Sequence, residues 1–110
     1  MKNQAIKPEG LSPDGERAFE VIINHLRSHG SKVTGELQAF WNPEVYDGEY
    51  GRDSLLIVMY DGLNDIGKFF SLDRDYPHYK NQEPMRQALE AAGFYCDECT
   101  GYYAAVYRRG

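Results

Sequence analysis

The chain has 110 residues, 42% of them apolar and 26% charged. That is the size of one domain able to bury a core without disulfide or metal staples. No stretch reaches the ~18 apolar residues of a membrane span and no charged-then-apolar leader opens the chain, so the expectation is a cytoplasmic protein with no membrane partner. With 12 basic and 17 acidic residues the net charge is −5, which speaks against nucleic acid as partner, because a phosphate backbone needs clustered Lys and Arg.

In chain order, residues 1–10 are polar, contain Pro8 and Gly10, and read as a flexible arm ahead of a single domain over 11–110. Ser12, Pro13, Asp14 and Glu16 form a helix start: a capping hydroxyl, a proline suited to the first turn, and acids at the positive end of the dipole. Phe19, Ile22, Ile23 and Leu26 recur at helical spacing, and His29-Gly30 is a stop signal. Val33 to Phe40 alternates like a strand, and 41–53 (WNPEVYDGEYGRD) reads as a long loop. Residues 54–60 (SLLIVMY) are apolar on both faces, the pattern of a central strand. Lys68 to Leu72 is an optional further strand, and 73–80 is loop. A second helix opens at Asn81 and Pro84, turns Met85, Ala88, Leu89 and Ala92 inward, and closes at Gly93. The remainder reads as a hairpin, Phe94 to Cys99 and Tyr102 to Arg108, about a turn at Thr100-Gly101. The order α-β-β-(β)-α-β-β predicts an α+β fold: an antiparallel sheet of four to five strands with two helices on one face, a permuted ferredoxin-like arrangement.

The segments LSPDGERAFE, EYGRDSLLIVMYDG and LEAAGFYCDECTGYYAAVYR together resemble a group of small bacterial and phage proteins of similar length. In that group an LSPDG start, a strand ending in YDGG and a CTxWY-AxY tail recur. This chain has YDGLND in place of YDGG and Tyr102 where Trp is frequent. The resemblance implies a single domain and brings no activity with it.

Two features locate a functional surface. Nine tyrosines, five phenylalanines and one tryptophan make the chain rich in side chains that combine an apolar body with, for Tyr and Trp, a polar tip. The acidity is regional: residues 44–75 hold eight acids against three bases, and the rest of the chain is balanced. Within this region the loop carries Trp41, Tyr46, Tyr50 and Arg52, residue types that anchor interfaces and can stack on a planar anion such as a nucleotide. The plainer reading of Trp41 is burial beneath the loop. Asp73, Asp75 and His78 group two carboxylates with an imidazole, a constellation for acid/base chemistry or simply turn-forming polar residues.

Other motifs carry less. Cys96 and Cys99 form one CxxC, half the ligand set of a zinc site. It falls in a strand, where i and i+3 point to opposite faces, and beside acids that raise a thiol pKa. His25 and His29 share a helix face without an intervening carboxylate, as dipole-favoured histidines do. No cofactor and no metal site is therefore expected. The reading is a small acidic, non-catalytic binding module. Its surface over 41–79, with Trp41, Tyr46, Tyr50, Arg52, Asp73, Asp75 and His78, engages a protein partner or a small anionic ligand. A phage-encoded inhibitor of a host system would fit this, as would a homodimer. The alternatives are a protein that sequesters a nucleotide signal and a small hydrolase or isomerase using Asp73, Asp75 and His78.

Overall fold

The computed structural model describes residues 7–28, 39–46, 50–59, 82–99 and 103–109. Helix α1 spans Pro13–Ser28. The Gly15 N–H donates to Ser12 Oγ at 3.0 Å and the Glu16 N–H to the Ser12 carbonyl at 2.9 Å, so the cap works as its sequence implies. Ala18, Phe19, Ile22, Ile23 and Leu26 are buried along one stripe. The last turn ends with the Ser28 hydroxyl donating to the His25 carbonyl at 2.9 Å; the expected stop at His29-Gly30 lies outside the described residues.

Strand β1 is Phe40–Trp41, β2 is Leu56–Met59, β3 is Phe94–Glu98 and β4 is Tyr103–Arg108. They form one antiparallel sheet in the order β1-β2-β4-β3. The second long helix, α3, is Gln82–Ala91, and the chain leaves it through Gly93 at φ +94°, a left-handed conformation that suits glycine. Strands β2 and β3, joined through α3, both run antiparallel to β4 and are therefore parallel to each other with β4 between them: a split βαβ unit.

Alternation along the strands sorts side chains to two faces. Phe40, Leu56, Val58, Ala104, Val106 and Phe94 pack against α1 and against Met85 and Leu89 of α3 in the main core. Both long helices thus cover the same face. The Arg108 guanidinium reaches Asp14 at 3.0 Å, tying the end of β4 to the start of α1. Trp41, Ile57, Met59, Tyr103, Ala105 and Tyr107 form the other, outer face, where Ile57, Tyr103 and Ala105 are also buried. Burial of β2 on both faces is what its unbroken apolar run requires.

Three details differ from the sequence expectations. The loop 41–53 contains a helical turn, α2 (Pro43–Tyr46), because Asn42 caps it: its side-chain oxygen accepts from the Glu44 N–H at 3.0 Å. The hairpin register sets Glu98 opposite Ala104, with the Cys99 N–H donating to the Tyr103 carbonyl at 3.1 Å. Cys99 thus pairs with Tyr103, and β4 begins at Tyr103 rather than at the expected Tyr102; residues 100–102 lie outside the described residues. Residues 7–10 of the expected arm lie on the body, with Pro8 buried and the Glu9 carbonyl accepting from Asn42 Nδ2 at 3.1 Å. Most of the Val33–Phe40 strand, all of Lys68–Leu72 and the loop 73–80 lie outside the described residues.

Candidate functional site

Among the described residues, the outer face is covered by the segments 42–46 and 50–55, with no long helix on it. Trp41 starts from β1, and its ring meets Tyr46 of α2 edge-on at 5.5 Å between centroids. Tyr46 in turn leans on Tyr103 of β4 at 4.9 Å. The Tyr103 ring is buried, and its hydroxyl holds the strap from below: it accepts from the Tyr50 N–H at 2.9 Å and lies 3.2 Å from the Tyr50 carbonyl, to which it donates. One residue later Gly51 lies directly on the sheet at φ +82°. A Cβ there would come within 2.9 Å of Ala105 Cβ and 3.0 Å of Ile57 Cδ1, so only glycine fits both the space and the backbone. The Ser54 hydroxyl and N–H both donate to the Gly51 carbonyl, at 2.6 and 3.0 Å, and close the strap.

Above this buried tier stands an exposed rim. Tyr95 of β3 faces Tyr107 of β4 in register, with rings stacked at 5.4 Å and 22°. Tyr95 is 42% exposed and Tyr50 51%. Asp53 lies beside them, 3.5 Å from the Tyr107 hydroxyl, and Asp97 follows Tyr95 on the same face. Neither carboxylate has an ion-pair partner among the described residues. Desolvation, then Asp53, Cys99 and Asp97, push Tyr107 up to about 12. Burial and then Asp97 raise Cys99, with Asp53 adding a smaller effect. The two carboxylates thus share one negative field over the end of the hairpin.

The CxxC divides between the two faces as strand geometry demands. Cys96 packs toward the helices, and burial pushes its thiol up to about 11 against the opposing pull of Arg86. Cys99 packs with the outer cluster, and its thiol donates to the Asp97 carbonyl at 3.7 Å. Both thiols are free. Among the described residues no group of three His, Cys, Asp or Glu side chains could hold a metal ion, and no helix is long and apolar enough to cross a membrane.

Of the residues singled out in the sequence, Trp41 and Tyr46 come together but serve as the half-buried base of the outer face. Tyr50 and Arg52 reach the surface. An open cleft of about 310 Å³ beside the start of α1 is lined by Arg52 together with the acids Glu44 and Asp53. Asp73, Asp75 and His78 lie outside the described residues. Sequence reading missed Tyr95, Tyr103, Tyr107, Asp53 and Asp97. The signal was present in the odd-numbered tyrosines of the hairpin, but it needed the correct register to place them on one face.

The molecule is thus a small α+β domain; among the described residues its two long helices cover one face of the sheet and a strapped, tyrosine-rich surface forms the other. No protein-family model, curated protein or solved structure matches the chain.

Proposed function

We propose that this protein is a non-catalytic binding module, working in the cytoplasm, that docks a basic protein surface onto its outer face. The observation that carries the reading is the rim itself: the stacked Tyr95 and Tyr107 pair and exposed Tyr50, set beside the carboxylates of Asp53 and Asp97, which have no ion-pair partner among the described residues. Tyrosine rings supply large contact area with little rotamer entropy to lose, and their faces attract cations. The platform is fixed beforehand by the bonds from Tyr103 and the close seat of Gly51, which lowers the ordering cost of binding. A small anion fits less well, because Arg52 shares its cleft with the acids Glu44 and Asp53, and the rim itself carries the carboxylates of Asp53 and Asp97.

The test is a titration of isotope-labelled protein with short arginine-rich, lysine-rich and glutamate-rich peptides and with a nucleoside triphosphate, followed by amide shifts. Saturable shifts at Tyr50, Asp53, Tyr95, Asp97 and Tyr107 with the cationic peptides, weakening with added salt, are expected. Loss of that binding in Tyr95→Ala, with the melting temperature kept, would complete the case. Binding of the nucleotide or the glutamate peptide alone, or shifts confined to other surfaces, overturns it.

A further inference from the structure

The outer rim ends at a sheet edge. Strand β3 has β4 on one side and, among the described residues, no strand on the other. Its pairing with β4 runs without a bulge from Phe94 to Glu98. The direction of its backbone groups follows from two bonds. The Cys99 N–H donates to the Tyr103 carbonyl, and the Arg109 N–H to the Gly93 carbonyl at 2.8 Å, which makes the odd-numbered positions of β3 the hydrogen-bonded ones toward β4. The N–H and C=O of Phe94 and Cys96 therefore point to the outer edge.

We propose that β3 accepts an extended, arginine-bearing segment of a partner protein as an added antiparallel strand. The inference deepens the proposed function and rests on the same surface. Against β3, an incoming strand would form its hydrogen-bonded pairs at Phe94 and Cys96. Tyr95 and Asp97 would then occupy non-hydrogen-bonded pairs, where cross-strand side chains approach most closely. A partner side chain opposite Tyr95 comes out on the outer face, along the tyrosine ring and within diagonal reach of Asp97. A guanidinium fits that place better than an ammonium, since its plane can lie on the ring while its N–H groups fork to a carboxylate.

Charge selects among occupants of the edge. Asp97 lies on β3, Asp53 stands beside Tyr107, and the chain carries −5. A second copy would bring the same acids and the same net charge to the edge, whereas a basic strand neutralises them. Backbone pairing supplies affinity and the alternate outer-face positions supply selection, the usual division in strand addition.

The experiment uses the full chain and three peptides about as long as β3: alternating arginine and valine, the same peptide with alternate backbone nitrogens methylated, and alternating glutamate and valine. Binding is read by amide shifts, hydrogen exchange and sedimentation. Saturable binding of the first peptide, slowed exchange at Phe94 and Cys96, and a loss of about 10-fold or more on methylation are expected, because methylation removes backbone donors and leaves the side chains. Equal binding of the methylated peptide, with shifts at Tyr50 and Tyr95 and none in exchange at Cys96, overturns strand addition and leaves the surface reading standing. Silence from both arginine peptides overturns both. A dimer that protects Phe94 and Cys96 without peptide assigns the edge to a second copy and also overturns the proposal.

Discussion

Tyr103→Phe isolates the bond that holds the strap to the sheet. The ring stays, so its contacts with Tyr46 and Ile57 persist and no cavity opens. What goes is a hydroxyl that accepts from the Tyr50 N–H at 2.9 Å and donates to the Tyr50 carbonyl at 3.2 Å. A neutral hydrogen bond is worth about 1 kcal/mol net, and stranding a fully buried group costs up to about 3 kcal/mol. Tyr50 is 51% exposed, so water can take over part of the role and the total should be about 1–2 kcal/mol. For a domain of this size that lowers the melting temperature by roughly 4–10 °C. Circular dichroism melts would read the global loss, and hydrogen exchange would show the Tyr50 amide opening before the rest of the sheet. A melting temperature within about a degree of the parent, with unchanged exchange at Tyr50, would refute the reasoning. It would mean that the aromatic stack and Gly51 hold the strap without the hydroxyl.

Four further outcomes are expected. Gly51→Ala should cost about 2 kcal/mol or more in denaturant titration, since the new Cβ meets Ala105 at 2.9 Å and the φ of +82° disfavours any side chain. Gly15→Ala should also destabilise, although alanine is the better helix former by about 1 kcal/mol, because its Cβ would lie 2.7 Å from the Leu55 carbonyl; a rise in melting temperature would show that α1 can shift away from that carbonyl. Stability should fall as pH rises above about 9 and continue falling toward about 12. Cys96 and Tyr107 hold their protons in the folded state to about 11 and about 12, against 9.0 and 10.0 when unperturbed, so the unfolded chain loses protons first; pH-dependent melts of the parent and Tyr107→Phe would check the sign. At pH 8 an alkylating agent should modify Cys96 far more slowly than a free thiol, by roughly 100-fold on thiolate fraction alone, as read by peptide mass analysis.

The parts of the fold governed by local chemistry were open to sequence reading. Ser12 and Pro13 start α1, Gly93 ends α3, and the double-sided apolar run over 56–59 makes a central strand. The start of β4 at Tyr103, one residue beyond the expected Tyr102, could not be settled locally. Thr100-Gly101 suggests a two-residue connection, and the observed register follows instead from which faces of Phe94–Glu98 and Tyr103–Arg108 must meet the helices. The strap was less accessible still. Its composition marks a loop, but its fixing depends on a hydroxyl 53 positions away and on the fit of Gly51 against Ala105 and Ile57. Trp41 and Tyr46 show the same limit: an aromatic in a loop reads equally as an exposed anchor or as a cover. The deciding fact is that position 41 shares a face with Ile57 and Tyr103.

The choice between phenylalanine and tyrosine does carry that information once the faces are known. Among the described residues Phe19, Phe40 and Phe94 all lie in the core beneath the helices, while Tyr46, Tyr95, Tyr103 and Tyr107 all belong to the outer face and Tyr50 to its strap. A face closed by long helices offers no partner for a phenolic hydroxyl, and burying one there without a bond would be costly. The outer face offers strap backbone to the Tyr103 hydroxyl and leaves Tyr50 and Tyr95 partly open to water. Adjacent Phe94 and Tyr95 make the point within two residues, one ring buried beneath α1 and α3 and the other displayed at the rim. Among the described residues, the placing of tyrosine against phenylalanine thus marks a sheet with one dry face and one half-wet face. It is the half-wet face, with a fixed base and an exposed aromatic edge, that a partner can reach.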